Sequence, residues 1–194
     1  TLGAGGQGIG VGENYPFPDK TLTSITSEES DFKRGLLQAG FNIFHQHNIV
    51  ICKKNVSILR NILLWLEEFV SEKYPLIDLP LLIIDDEADN ASLNNLGHKG
   101  REYATRTNME IRSILSLFSK KSYLGYTATP FANVLQDRNE SSGNQNTFTY
   151  KGDDYSFNMV DNLFPDDFIE LLYPPSNYIG IKHFFDTKSD KINK

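Results

Sequence analysis

Cysteine and long apolar runs are both scarce in this chain. Cys52 is the single cysteine among 194 residues, which excludes an intramolecular disulfide and is typical of a reducing compartment. The longest purely apolar run, Ile62 to Leu66, has five residues, far short of the roughly eighteen that a membrane helix needs. The opening residues also show no basic-then-apolar signal pattern. We therefore expect a cytoplasmic protein that has no membrane partner.

Positive charge is in short supply as well. The chain has 19 Lys and Arg against 25 Asp and Glu, which gives a formal net charge of -6. This balance argues against a broadly basic nucleic-acid surface, although a local patch or another domain could still provide one. A phosphate-binding loop of the form G-x-x-x-x-G-K-[ST] is absent from the sequence.

The chain divides by composition into two parts. Residues 1–47 are rich in Gly, Ser and Thr and are predicted to be a partly disordered N-terminal segment. Residues 48–194 are predicted to form the ordered core, with strands over Ile49–Cys52, Leu81–Ile84 and Tyr123–Thr127. The second of these strands is apolar on both faces, which is typical of a parallel sheet covered by helices.

Helical patterns separate the predicted strands. Apolar residues recur at helical spacing from Ile58 to Val70, and Thr107 with Glu110 is a capping-box pattern that predicts the start of a second helix. The polar stretch over residues 136–158 indicates a mobile insertion or an exposed hairpin; "FPDDFIELL" then predicts a short helix and "NYIGIKHFF" a last strand. This order predicts an α/β fold with a mainly parallel sheet and a ligand site at the carboxyl ends of its strands.

Four carboxylates follow the second predicted strand, in the stretch "PLLIIDDEADN". They are Asp85, Asp86, Glu87 and Asp89. A carboxylate that closes an apolar strand is the arrangement in which P-loop NTPases hold Mg²⁺, and a neighbouring Glu can position or deprotonate the attacking water. The simplest alternative is a solvated turn whose aspartates cap a helix.

The next predicted strand ends in "GYTATPFANVL". Alone, this stretch would be a strand end with two β-formers and a proline stop. Together with D-E-A-D it resembles motifs II and III of the superfamily-two helicases. The resemblance implies that Asp86 holds Mg²⁺, that Glu87 is the catalytic base and that Asp89 closes motif II. It also implies that Thr127 and Thr129 couple the nucleotide site to nucleic acid.

A longer series of stretches, over roughly residues 48 to 181, resembles the Z-one domain, a bacterial and phage family that carries an endonuclease label. The stretches are "VICKKN", "ILLWL", "LLIIDDEADNASLN", "IRSILSLF", "YLGYTATPFAN", "FPDDFI" and "PPSNYIG". Members of this family look like superfamily-two ATPases of restriction or defence proteins. The resemblance implies a RecA-like, P-loop NTPase-type fold and ATP-dependent action on DNA, with Mg²⁺ and ATP as cofactors.

One departure from the family pattern is large. The phosphate-binding loop should lie upstream of Lys53, where residues 1–47 contain only a glycine run. A second RecA-like domain, or a partner subunit in its place, should follow Lys194. We therefore expect the chain to be part of a larger ATPase and to be inactive alone. Lys53 and Lys54 are candidates for phosphate contact, and the simpler interpretation is that they solvate a loop.

Two other classes of function stay open. Asp166, with Asp186 and Lys188, satisfies the pattern P-D…[DE]-x-K, which is found in metal-dependent DNA endonucleases. The simpler interpretation is an aspartate at a helix start and a basic tail. The third class is a non-catalytic interaction module that keeps the fold while another domain acts.

Overall fold

The computed structural model describes residues 22–26, 31–33, 42–45, 47–89, 97–129, 145–163, 165–173 and 176–177. The chain forms two compact units, Thr1–Phe164 and Pro165–Lys194, which are described separately. The first unit has a mixed α/β architecture. Its elements are β1 (Leu22–Ser24), a 3₁₀ turn (Ile43–His45), β2 (His47–Ile49), α1 (Val56–Glu67), β3 (Ile77–Asp85), α2 (Gly97–Ser116), β4 (Phe118–Gly125), β5 (Gln145–Tyr150) and β6 (Asp153–Asn158).

The centre of the first unit is the parallel pair of β3 and β4. Their register runs from Pro80 opposite Lys120 to Asp85 opposite Gly125, and it shifts between Ile77 and Pro80. A parallel pair needs a crossover connection, which here contains α2. Both predicted strands are therefore present and are parallel neighbours. Both begin earlier than predicted, and they end at Asp85 and Gly125 instead of Ile84 and Thr127.

The two faces of β3 differ in burial. Leu81 and Ile83 pack against the core formed with the helices, whereas Leu82 and Ile84 remain 58% and 61% exposed. The expectation that helices cover both faces of this strand is therefore wrong for the part of the chain that the structure describes. A run of apolar residues cannot by itself show which of its two faces a helix covers, because it has no alternation.

The strand predicted over Ile49–Cys52 is displaced, and it does not join β3 and β4: the described strands form three separate two-stranded sheets, so the prediction of one central sheet is wrong for this part of the chain. The observed β2 ends at Ile49 and pairs in parallel with β1, which lies in the segment predicted to be a tail. Beyond β2 the backbone N–H of Ile51 donates to Thr26 Oγ1 at 2.8 Å, and that of Lys53 donates to Asp31 Oδ1 at 3.0 Å. Side-chain acceptors thus replace a neighbouring strand, and the chain after β2 is irregular.

Helix α1 agrees closely with its prediction. Asn55 caps its N-terminus, because the side-chain oxygen accepts from the backbone N–H of Ser57 at 2.8 Å. The apolar stripe of the helix supplies much of the core, in which Leu63 is fully buried. The Trp65 ring packs between Phe32 and Phe69, with ring centroids 5.3 and 5.6 Å away.

The capping-box prediction for the second helix is wrong. Helix α2 begins at Gly97, so Thr107 and Glu110 lie inside it, and both are buried. Glu110 Oε1 accepts from Arg60 Nε at 3.0 Å and from Nη2 at 2.7 Å, which joins α1 to α2 by a buried ion pair. Burial raises the pKa of Glu110, and Arg60 opposes that shift. Two buried polar residues inside a helix, Thr107 and Glu110, therefore have the same spacing as a capping box.

Strands β5 and β6 form the hairpin that was one of two predictions for the polar stretch. Lys151 and Gly152 connect them with φ values of 54° and 96°, as a two-residue type I′ turn requires. One face of the hairpin is buried. Phe157 joins the core, and Asn146 Nδ2 donates to Ser113 Oγ at 3.1 Å. The beginning of the predicted segment, residues 136–144, lies outside the described residues.

The second unit lacks the helix predicted from "FPDDFIELL". Residues 165–173 are irregular, and their large apolar side chains are exposed; these are Phe168, Ile169, Leu171, Leu172 and Tyr173. A helix of so few residues is marginal in water unless an apolar face packs against something. The predicted last strand, apart from Asn177, lies outside the described residues. No helix within the described ranges is both long and apolar enough to cross a membrane.

Candidate functional site

The carboxyl ends of β3 and β4 lie side by side, and the two candidate motifs follow them. The backbone N–H of Tyr126 donates to the Asp85 carbonyl at 2.8 Å, and that of Ala88 donates to the Tyr126 carbonyl at 2.9 Å. The chain after β3 is thus hydrogen-bonded to the chain after β4. The predicted placement of both motifs at one edge of the sheet is confirmed.

Side chains join the motifs directly through Asp89. Its Oδ1 accepts from the Thr127 hydroxyl at 2.6 Å, and its Oδ2 accepts from the Thr129 hydroxyl. Thr127 Oγ1 also accepts from the backbone N–H of Thr129 at 2.9 Å. Hydrogen bonds from Thr127 and then from Thr129 lower the pKa of Asp89, so the bonded form is the carboxylate.

Asp85 is the buried member of the four carboxylates. Its Oδ1 accepts from Lys54 Nζ at 2.8 Å, and its Oδ2 accepts from the Tyr123 hydroxyl at 2.7 Å. Burial, and then the charge of Asp85, raise the pKa of Tyr123 far above its usual range, so that the hydroxyl stays a donor. Both oxygens of Asp85 are therefore engaged inside the protein, as a buried carboxylate requires.

Asp86 and Glu87 form an exposed turn immediately after Asp85. Asp86 Oδ1 accepts from the backbone N–H of Glu87 at 3.0 Å. Glu87 has a φ of 52°, which is the left-handed region that residues other than glycine adopt at a cost. Non-glycine residues in this region are concentrated at functional sites. The turn thus presents two exposed carboxylates beside one buried carboxylate.

Gly125 allows the two motifs to approach each other. A Cβ added to Gly125 would lie 2.9 Å from the Cβ of Ala88, which is closer than two carbon atoms can pack. Ala88 itself is buried and sits between Glu87 and Asp89. A larger residue at position 125 would therefore push apart the backbone segments that carry the motifs.

The two candidate lysines have different surroundings. Lys54 donates to Asp85 and also to the carbonyl oxygens of Asp86 and Glu87, at 3.0 and 2.8 Å. Its side chain is mostly buried, so it does not simply solvate a loop. Lys53 is exposed, and its Nζ lies 3.7 Å from Asp31 Oδ2.

The residues of the alternative nuclease pattern are only partly described. Asp166 is an exposed residue of the second unit, whereas Asp186 and Lys188 lie outside the described residues. The structure therefore brings together Asp86, Glu87, Asp89, Thr127 and Thr129, with Lys54 beneath them. Within the described ranges, no three His, Cys, Asp or Glu side chains form a ready-made metal cluster.

Sequence reasoning missed the roles of Asp85, Tyr123 and Gly125. The sequence did contain one signal that Asp85 is buried. Residues two apart on a strand share a face, and Asp85 lies two residues after Ile83, on the covered face. The partners of Asp85 come from 31 and 38 residues away, and no local pattern indicates them.

Comparisons with protein-family models, with curated proteins and with solved structures found nothing that matches the chain. The likeness to the Z-one domain therefore depends on the quoted stretches alone.

Proposed function

We propose that the chain supplies the Mg-ATP hydrolysis motif and the coupling motif of a superfamily-two helicase-like ATPase that acts on DNA. The parent protein would be of a bacterial or phage restriction or defence type, as the likeness to the Z-one domain implies, with a RecA-like fold. The observation that carries the proposal is the link through Asp89. The D-E-A-D and T-A-T segments follow two adjacent parallel strands, and the Asp89 carboxylate accepts hydrogen bonds from both threonines.

Asp86 is the carboxylate that fits Mg²⁺. It is exposed, and within the described residues its one side-chain hydrogen bond is from the Glu87 amide to its Oδ1. Magnesium keeps several waters and is usually held by one or two carboxylates together with the phosphates of the substrate, so a ready-made cluster is not required. Asp85 does not fit, because both of its oxygens are bonded within the protein. The metal would neutralise charge on the phosphates.

Glu87 is the proposed general base. It is the exposed carboxylate next to Asp86, and in this role it would position a water and accept its proton. The left-handed backbone conformation of Glu87 is locally unfavourable. Surrounding hydrogen bonds, such as that from Lys54 Nζ to the Glu87 carbonyl, maintain this conformation. Thr127 and Thr129 are the residues proposed to respond to DNA. Asp89, which is hydrogen-bonded to both, would transmit their movement to the turn at Asp86 and Glu87.

The proposal requires further parts from the parent protein. Phosphoryl transfer needs a cradle of backbone amides and a lysine for the phosphates. Lys54 does not provide that lysine, because its ammonium group contacts three acceptors within the turn. A phosphate-binding loop and a second RecA-like domain or a partner subunit would therefore complete the site. The isolated chain should hydrolyse ATP very slowly.

The test is a Glu87→Gln variant of the parent protein. We expect ATP hydrolysis to fall by about 10²–10⁴-fold, the usual loss for a general base, while ATP binding persists. Asp186→Ala in the same protein is the matched control, since it changes a carboxylate of the alternative pattern and should leave hydrolysis unchanged. ATP turnover and metal-dependent DNA cleavage should be measured on all three proteins.

Other outcomes would contradict the proposal in distinct ways. DNA cleavage that is lost in Asp186→Ala but kept in Glu87→Gln would favour a nuclease. A parent protein with ATP turnover unaffected by either change would support an interaction module. Rapid ATP turnover by residues 1–194 alone would show that the site is complete within this chain.

A further inference from the structure

Lys54 lies beneath the turn that carries the proposed catalytic carboxylates. Its ammonium nitrogen is 2.8 Å from Asp85 Oδ1, 3.0 Å from the Asp86 carbonyl and 2.8 Å from the Glu87 carbonyl. An ammonium group has three protons to donate, and these acceptors come from three consecutive residues. One side chain thus holds the end of β3 and both peptide groups of the turn.

Lys54 contacts the Asp86 and Glu87 carbonyls in addition to neutralising the charge of Asp85, and these are two separate roles. The pairing with Asp85 is what a buried carboxylate needs, and the Tyr123 hydroxyl supplements it. The two carbonyl contacts instead fix the direction of the peptide groups on either side of Glu87, the residue with a φ of 52°. Loss of these contacts would leave the turn free to relax from its left-handed conformation.

We infer that Lys54 is a positioning residue that holds Asp86 in the geometry needed to bind a divalent cation. This inference deepens the proposed function and rests on the role of Asp86 given there. Lys54 would not contact the cation or the phosphates. It would act as the outer partners of metal ligands do, whose loss typically lowers metal affinity about 10–100-fold.

The alternative is that Lys54 only neutralises Asp85, and a double variant separates the two roles. Lys54→Met with Asp85→Leu removes both charges together, which in many proteins leaves stability unchanged or raised. The two carbonyls nevertheless lose their donor. Lys54→Arg is a second variant: it keeps the charge for Asp85, but a planar guanidinium does not reproduce three donors around one nitrogen.

The control uses the other Lys–Asp pair of the same two strands. Lys120 on β4 lies 3.1 Å from Asp78 on β3, at the opposite end of the pair from the turn. Lys120→Met with Asp78→Leu makes the same chemical change away from the proposed site. It should leave metal affinity unchanged.

The experiment titrates Mn²⁺, as a probe for Mg²⁺, into isotope-labelled residues 1–194 and follows paramagnetic broadening of amide NMR signals. We expect broadening centred on Asp86 and Glu87 that Asp86→Asn removes. The double variant, with its fold verified by circular dichroism, should bind Mn²⁺ about 10–100-fold more weakly. Lys54→Arg should also bind more weakly. The amide of Ala88, which bonds the Tyr126 carbonyl, should exchange faster with solvent in the double variant.

The outcomes distinguish the inference from the proposed function. Mn²⁺ affinity in the double variant equal to that of the wild type would overturn the positioning role of Lys54 and leave Asp86 as a metal ligand. Broadening that persists in Asp86→Asn would remove the metal role of Asp86, and both statements would then fail.

Discussion

The two ends of the β3–β4 pair contain the same three chemical groups in different surroundings. At the carboxyl end, Asp85 bonds a lysine ammonium and a hydroxyl, from Lys54 and Tyr123. At the amino end, Asp78 also bonds an ammonium and a hydroxyl, from Lys120 and Ser119. The side chains of Asp85 and Lys54 are 5% and 23% exposed, whereas those of Asp78 and Lys120 are 78% and 67% exposed.

Burial determines how strongly the stability of each end of the β3–β4 pair depends on its Lys–Asp ion pair. Water and salt screen the exposed pair, and either partner can be solvated if the other is lost. The buried pair has no such substitute, because a lone carboxylate away from water is strongly unfavourable. The hydrogen bonds from Lys120 and Ser119 lower the pKa of Asp78, although its side chain is exposed. The carboxyl end should therefore be the sensitive one.

The largest contrast should come from removing each lysine. Lys54→Met leaves Asp85 buried with Tyr123 as its one side-chain partner among the described residues, and we expect the free energy of unfolding to fall by about 3 kcal/mol. Lys120→Met should cause no resolvable change. Urea denaturation of both variants and the wild type measures the difference. Equal midpoints for the two variants would show that burial does not separate the ends.

Steric crowding at the carboxyl end of the β3–β4 pair should cause the next largest loss of stability. Gly125→Ala places a Cβ against that of Ala88, and because both atoms are held by backbone the cost should be about 1–3 kcal/mol. Ser119→Ala, in the exposed amino half of the same strand, is the control and should have a much smaller effect. Thermal unfolding followed by circular dichroism compares them. An unchanged Gly125→Ala variant would mean that the two motifs can separate freely.

The turn itself should become more stable when its backbone strain is removed. Glu87→Gly suits a φ of 52°, and we expect a gain of about 1 kcal/mol, reduced by the greater freedom of glycine in the unfolded chain. Glu68→Gly is the matched control, because Glu68 is exposed and has a φ of -62°. That variant should show no gain. A loss of stability in Glu87→Gly would indicate that the Glu87 side chain contributes more than its conformation costs.

The smallest predicted effect is the pH dependence of the contribution that Asp89 makes to stability. Its pKa is lowered in the folded chain, so its contribution to stability is present above the unfolded value, about pH 3.9, and is lost as the pH falls through the folded pKa. The stability advantage of the wild type over Asp89→Asn should therefore be constant above about pH 5 and shrink toward pH 3. Urea midpoints across this range measure it. An advantage that grows on acidification would contradict the hydrogen bonds from Thr127 and Thr129.

Local patterns predicted those parts of the fold that local physics determines. The periodic apolar residues of α1 define a helix regardless of context, and the carboxyl ends of two parallel strands must lie together. The D-E-A-D and T-A-T turns were therefore predicted to be adjacent. The partners inside the site were not predictable, because Lys54 and Asp85 are 31 positions apart and no local pattern indicates their contact.

Two of the wrong predictions have a shared physical cause. Thr107 and Glu110 have the spacing of a helix cap, but the partner of Glu110 is Arg60 on another helix. Residues 165–173 have a helical pattern, but they are irregular and their large apolar side chains are exposed. In both cases tertiary surroundings, which a single sequence does not display, outweighed local preference.

The uncovered face of β3 has a practical consequence for work with this chain. Leu82 and Ile84 on this face, and Tyr126 after β4, leave apolar surface in contact with water in the folded state. Dyes such as ANS, which become fluorescent on apolar surface, should therefore bind before any unfolding begins. A dye-based melting curve would start from a high baseline and understate the transition. Kosmotropic salts such as sulfate should promote self-association through the same face, so purification by salting out should be avoided.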